Sequence, residues 1–189
     1  MENDNIQSPE TDIEKSKRIV ERSAAYPAIL IEEAIPFVAA VLKNFPGNQS
    51  VTREDIAAVL PDISAIHRPI AASVHYGLLN REKGKYQVTK LYKDYSNFLS
   101  DFEKRKLLLQ IFGEPTLYKE IIAKHDGHVL PTELKTHLIR FHRIVDKVAG
   151  EVADDFIKNA EYVGAINENR ILNYSQAFTN ASEIGRAHV

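Results

Sequence analysis

Apolar residues recur at steps of three and four from Ile31 through Ala34, Ile35, Val38, Val41 and Leu42 to Phe45. That spacing is one stripe of an amphipathic helix and predicts a helix over 32–45. Pro46-Gly47-Asn48 ends it. Thr52 is then a favourable N-cap, with Glu54 and Asp55 matching the positive end of a helix dipole. A short second helix over 53–60 follows, with Ile56, Val59 and Leu60 on its inner face and Pro61 as its stop. A third helix is predicted over 68–76, with Pro69 near its start and Gly77 just past its end. Leu78-Leu79-Asn80, the turn Arg81-Glu82-Lys83-Gly84 and the alternating Lys85-Tyr86-Gln87-Val88-Thr89 predict a β-hairpin. Two more helices are expected, over 90–99 and 103–112.

Helix, short helix, helix and hairpin is the order of a winged helix-turn-helix. The second half of the chain replays it. Helices are predicted over 115–124, over a short stretch capped by Thr132 that holds Leu134 and Leu138, and over 144–163. His75-Tyr76-Gly77-Leu78-Leu79-Asn80 is echoed by Tyr162-Val163-Gly164-Ala165-Ile166-Asn167, each followed by a charged stretch and a tyrosine, Tyr86 or Tyr174. Two similar units in tandem explain the echo. The expected fold class is therefore mainly α with small β-hairpins, as tandem winged helix-turn-helix units. The first unit would span 25–100 and the second, degenerate and largely helical, 103–175.

Residues 1–24 are expected to be a flexible tail with a short helix near 13–21. Over 1–22 there are six acids and four bases, with only Ile6, Ile13, Ile19 and Val20 as large apolar residues. Residues 176–189 are expected to be a second tail. Its last seven, Glu183-Ile184-Gly185-Arg186-Ala187-His188-Val189, resemble one reading frame of a widely used sequencing adapter, which would place the native C-terminus beyond Ser182.

Composition narrows the function classes. An apolar content of 44% suffices for a packed core, and zero Cys excludes disulfides, thiolate catalysis and sulfur-ligated zinc. No apolar run approaches the ~20 residues of a membrane span. Met1-Glu2-Asn3-Asp4 opens no secretory h-region, so a cytoplasmic protein without membrane contact is expected.

Charge is unevenly placed. Between 64 and 93 there are six bases, Arg68, Arg81, Lys83, Lys85, Lys90 and Lys93, against the single acid Glu82. Between 144 and 169 the balance reverses, with two bases against six acids. In a winged helix the third helix enters the major groove and the hairpin touches flanking backbone, so the basic segment lies where phosphates would be. Double-stranded DNA is the expected partner, with transcription regulation as the role. His67 and Arg68 would be nearest the bases, Ser73 would be on the exposed side of the third helix, and Arg81, Lys83 and Lys85 would hold backbone from the wing. His67 and His75 would be able to add positive charge. The alternative is a protein-interaction adaptor that uses winged-helix units without DNA.

Paired half-sites call for a two-fold partner, and Val145, Val148, Val152 and Phe156 form an apolar stripe on the long helix that would pack a homodimer. His125, His128, His137 and His142 invite a metal reading, but no His-Glu-x-x-His run joins them, and neither metal nor cofactor is expected. Nucleophile-elbow, dinucleotide and phosphate-loop motifs are missing, and no paired acids stand in an apolar setting, so no catalysis is expected.

Tyr26-Pro27-Ala28 followed by Glu32-Glu33-Ala34-Ile35 resembles a group of uncharacterised prokaryotic winged-helix proteins. So do Tyr76-Gly77-Leu78-Leu79 before a Lys/Gly/Tyr hairpin, and Pro115 and Leu117 with the later Leu130-Pro131. The resemblance spans about 25–166 and implies the fold, but no settled activity. One departure concerns the turn before the third helix, rich in Gly and Ser in that group and here Pro61-Asp62-Ile63-Ser64-Ala65-Ile66-His67.

Overall fold

The structure is a computed structural model that describes residues 23–183. The expected N-terminal tail up to residue 22, its helix near 13–21, and the adapter-like residues from Ile184 onward lie outside the described residues. The described residues form a mainly helical chain with one two-stranded antiparallel sheet.

Helix α1 (Ile31–Asn44) buries Ile31, Ala34, Phe37, Val38 and Val41. Val51 follows as a single bridging residue, then helix α2 (Arg53–Val59). A reciprocal capping box starts α2: Asp55 N–H donates to Thr52 Oγ1 at 3.1 Å, and Thr52 N–H donates to Asp55 Oδ2 at 2.8 Å. Helix α3 (His67–His75) ends in a Schellman motif around Gly77, where φ is +67°. Leu78 N–H donates to Ser73 O at 2.8 Å and Gly77 N–H to Val74 O at 3.1 Å, satisfying carbonyls that would otherwise be orphaned.

Strands β1 (Leu79–Glu82) and β2 (Lys85–Val88) pair from Leu79↔Val88 to Glu82↔Lys85. The turn is shorter than the sequence suggests. Lys83 and Gly84 form it alone, both at positive φ (48° and 80°), as a two-residue hairpin whose twist matches the strands requires. Val51 adds a third strand position beside β2, exchanging both backbone bonds with Tyr86 at 2.9 and 2.7 Å. Thr89 caps helix α4 (Lys90–Ser96), and helix α5 (Asp101–Gly113) leads into the second half.

There the same order returns. Helix α6 (Thr116–His125) is followed by the bridging residue Val129, helix α7 (Leu134–His142) and helix α8 (Asp146–Tyr162). A second Schellman motif closes α8 around Gly164, with Ala165 N–H on Ala160 O at 2.7 Å and Gly164 N–H on Glu161 O at 3.0 Å. The chain then turns back on itself through the bridge Ile166↔Leu172, and Val129 pairs with Ile171 through their neighbours, Leu130 N–H on Arg170 O at 2.9 Å and Leu172 N–H on His128 O at 3.0 Å. These pairings are single bridges rather than a ladder.

Helix α9 (Tyr174–Glu183) corrects the expectation of a tail from 176 onward. Ala177 and Ala181 are buried, and α9 packs on α5, where Gly113 admits the Tyr174 ring. A Cβ on Gly113 would lie 2.4 Å from the Tyr174 hydroxyl oxygen. Alanines at a step of four give little apolar signal, which is why the helix is faint in the sequence.

The two halves meet at a buried polar hub. Asn159, on α8, is 1% exposed. Its Oδ1 accepts from Ile31 N–H at 2.9 Å, and its Nδ2 donates to the hydroxyls of Tyr76 and Tyr118, each at 3.0 Å. Tyr76 O–H in turn donates to Ile29 O at 2.8 Å. Burial raises the pKa of both tyrosines, so their hydroxyls stay protonated and remain donors. Around this hub Phe112, Tyr118 and Phe156 pack ring on ring, with centroids 4.9–5.4 Å apart.

That packing overturns the dimer stripe. Val152 and Phe156 are 2% and 0% exposed within this chain, Val148 is half-buried, and Val145 is the N-cap of α8, its N–H donating to Ser23 Oγ. A 3.6-residue period reveals an apolar face but not whether the same chain or another covers it. Here the same chain covers it.

Candidate nucleic-acid interface

Helix α3 has one face in the core and one in solvent. Ile70, Ala72 and Ser73 point inward, whereas His67 and Ala71 are exposed and Val74 and His75 half-exposed. The Val51–Tyr86 pairing draws the start of α2 and strand β2 to this outer face. The result is a groove of about 390 Å³ lined by Arg53, His67, Ile70, Ala71, Val74, His75, Arg81 and Tyr86.

Two cations flank it. Arg81, on β1, sits across from Tyr86 with its guanidinium carbon 5.9 Å from the ring centroid. Arg53, the first residue of α2, donates to Glu54 Oε1 from Nε at 3.2 Å and from Nη2 at 3.0 Å. Both of those side chains are more than half exposed, so water screens the pair and Glu54 can be exchanged for another anion. Lys83 and Lys85 stand exposed at the hairpin tip.

Acids lie close by. The Glu54 carboxyl is held below its usual range by its own backbone N–H and then by Arg53. Asp55 is held down by the backbone and side chain of Thr52. Both acids serve the N-terminus of α2 and remain charged at neutral pH. Burial pushes the His75 imidazole below its ordinary pKa, so it is neutral at pH 7 and does not supply the charge the sequence suggests.

Of the six expected DNA-contacting residues, the structure brings His67 and Arg81 into one groove, with Lys83 and Lys85 beyond its hairpin side. Ser73 is a correction. It is fully buried and its hydroxyl has no hydrogen-bond partner, because its position on α3 faces the core. Arg68 points elsewhere: Nη2 donates to Ala28 O at 2.9 Å and lies 3.9 Å from Glu151 on α8. Lys90 pairs with Asp94 at 2.6 Å, and Lys93 bonds Asn48 Oδ1, so neither faces the groove. Arg53 and Tyr86 are the residues that sequence reasoning missed. Only the long-range pairing of Val51 reveals them, and a single bridging residue leaves no periodic trace.

The outer surface of α8, the counterpart of α3 in the second half, carries the exposed acids Glu151 and Asp154 and the half-buried Asp155. Asp155 has its pKa raised by burial and then by the neighbouring Glu151. Behind it, the histidines of α6 and α7 gather. His125 and His137 touch through their rings, and His142 accompanies them, whereas His128 turns its Nδ1 to Asp126 O. Among the described residues no group of three or more His, Asp or Glu side chains is arranged to hold a metal ion, and no helix is long and apolar enough to cross a membrane.

Compared with protein-family models, with curated proteins and with solved structures, the chain finds no match.

Proposed function

We propose that this chain is a DNA-binding protein of two tandem winged-helix units, a regulator of transcription, with duplex DNA lying against α3 and the hairpin of the first unit. The observation that carries this reading is the bridge between Val51 and Tyr86. It holds the hairpin beside the solvent face of α3, where a wing would lie, so that Arg53 and Arg81 flank that face and Lys83 and Lys85 extend from it. The double occurrence of helix, bridging residue, helix, helix and antiparallel return supports reading both halves as one architecture. The step from architecture to DNA is an analogy of fold, strengthened by the charge of the groove.

In this reading Arg53, Arg81, Lys83 and Lys85 neutralise phosphates and His67 faces the base edges. The resemblance to uncharacterised prokaryotic winged-helix proteins belongs to the same proposal. Selection of bound sequences from a random duplex library, using the full chain, tests it. One enriched motif supports a regulator, whereas failure to retain any duplex overturns DNA binding and favours an acidic protein as the partner of the wing.

A further inference from the structure

At the end of α6, His125 comes against α7 so that its Nε2 lies 3.3 Å from Nε2 of His137, with the ring planes inclined at 70°. Hydrogen bonds from a ring N–H are usually shorter, about 2.7–3.2 Å. Two imidazole nitrogens bound at about 2.0–2.1 Å to one tetrahedral cation are separated by about 3.3 Å, the edge of the tetrahedron. Both rings are half-exposed, so the edge they form can be reached from solvent.

We propose that His125 and His137 bind a divalent transition cation of the zinc, nickel or copper class through their two Nε2 atoms, with water completing the shell. Imidazole is the side-chain ligand these cations share. The surroundings are prepared for it. His142 packs beside His137 with ring centroids 5.4 Å apart, and its Nδ1 lies 2.8 Å from Glu120 Oε2. Its Nε2 is buried without a hydrogen-bond partner. His142 is the third imidazole of the cluster, though not one turned to the same point.

The Lys124 ammonium, 4.0 Å from the Phe141 ring centroid, is the nearby charge that opposes a cation. The resulting site is open and weaker than a four-ligand structural one. It is independent of the DNA reading.

Calorimetric titration of Zn²⁺ into the tag-free full chain tests the proposal. One saturable site per chain is expected, with affinity reduced at least about tenfold by His125→Gln or His137→Gln and unchanged by His128→Gln. Lys124→Gln should tighten binding. Electron paramagnetic resonance of the wild-type chain with Cu²⁺ needs no variant to fold and should show two coordinated imidazole nitrogens. No saturable binding up to about 1 mM Zn²⁺, or binding indifferent to both substitutions, overturns the proposal and leaves the ring contact as a hydrogen bond.

Discussion

Helices α3 and α8 occupy the same place in two copies of one chain order, and they have opposite fates. Each ends on a left-handed glycine in a Schellman motif and feeds an antiparallel return. Counted back from Gly77 and Gly164, the outer face of α3 (His67, Ala71, Val74 and His75) corresponds on α8 to Asp154, Lys158, Glu161 and Tyr162. One surface is small and near-neutral between flanking cations; the other carries acids. The inner faces diverge too. Ala72 corresponds to Asn159, and where α3 places a small alanine in the core, α8 places the amide of the polar hub that ties the halves together. A similar order of elements thus leaves a solvent-facing groove at α3 and a buried polar hub at α8, with the second helix longer and its return made of single bridges.

The scaffold side of the contrast is tested first. Phe156→Ala removes a ring packed against Phe112 and Tyr118 and should cost about 3–5 kcal/mol, read as a lower urea midpoint at unchanged m-value. If the substitution left stability intact and instead dissociated a dimer, the α8 stripe would be an interface after all. Asn159→Ala should cost about 2–4 kcal/mol in the same assay. It strands the Ile31 N–H and takes the shared amide donor from both tyrosines, while Tyr76 keeps Ile29 O and the two hydroxyls keep each other.

The presented side predicts smaller changes. If duplex lies against α3 as proposed, replacing Asp154 by Asn and Glu161 by Gln together should leave its affinity within about twofold, because screening over a Debye length of ~8 Å limits the reach of the α8 acids. A rise of tenfold or more would mean that both helices approach DNA. The smallest expected effect is that of pH on His75. Its folded pKa lies below its unfolded value, so the unfolded chain binds more protons, and stability falls as pH drops below about 6.5. Thermal unfolding followed from pH 7.5 to 5.5 should show a shallower decline in His75→Gln than in the wild-type chain.

The sequence carries much of the local structure. Amphipathic spacing places α1, the Thr52 cap starts α2, and Gly77 and Gly164 end their helices. These signals are short-range, each set by a few adjacent residues. What stayed hidden depends on distant partners. Val51 and Val129 each pair through one residue, and the buried positions of α9 are the small Ala177 and Ala181. The inward turn of Ser73 and the capture of Arg68 by Ala28 and Glu151 follow from how α3 rotates against α1 and α8. Charge counting along the chain put both of them on a DNA face; packing put neither there.

The most direct test of the central claim is the salt dependence of duplex binding by the wild-type chain and by the Arg81→Ala, Lys83→Ala, Lys85→Ala triple variant. With Arg53, Arg81, Lys83 and Lys85 on phosphates, the slope of log K against log salt should be about −3 to −4 and flatten to about −1 in the variant. An unchanged slope and affinity in the variant, or no duplex binding by the wild-type chain at low salt, would contradict the assignment of α3 and its wing to DNA.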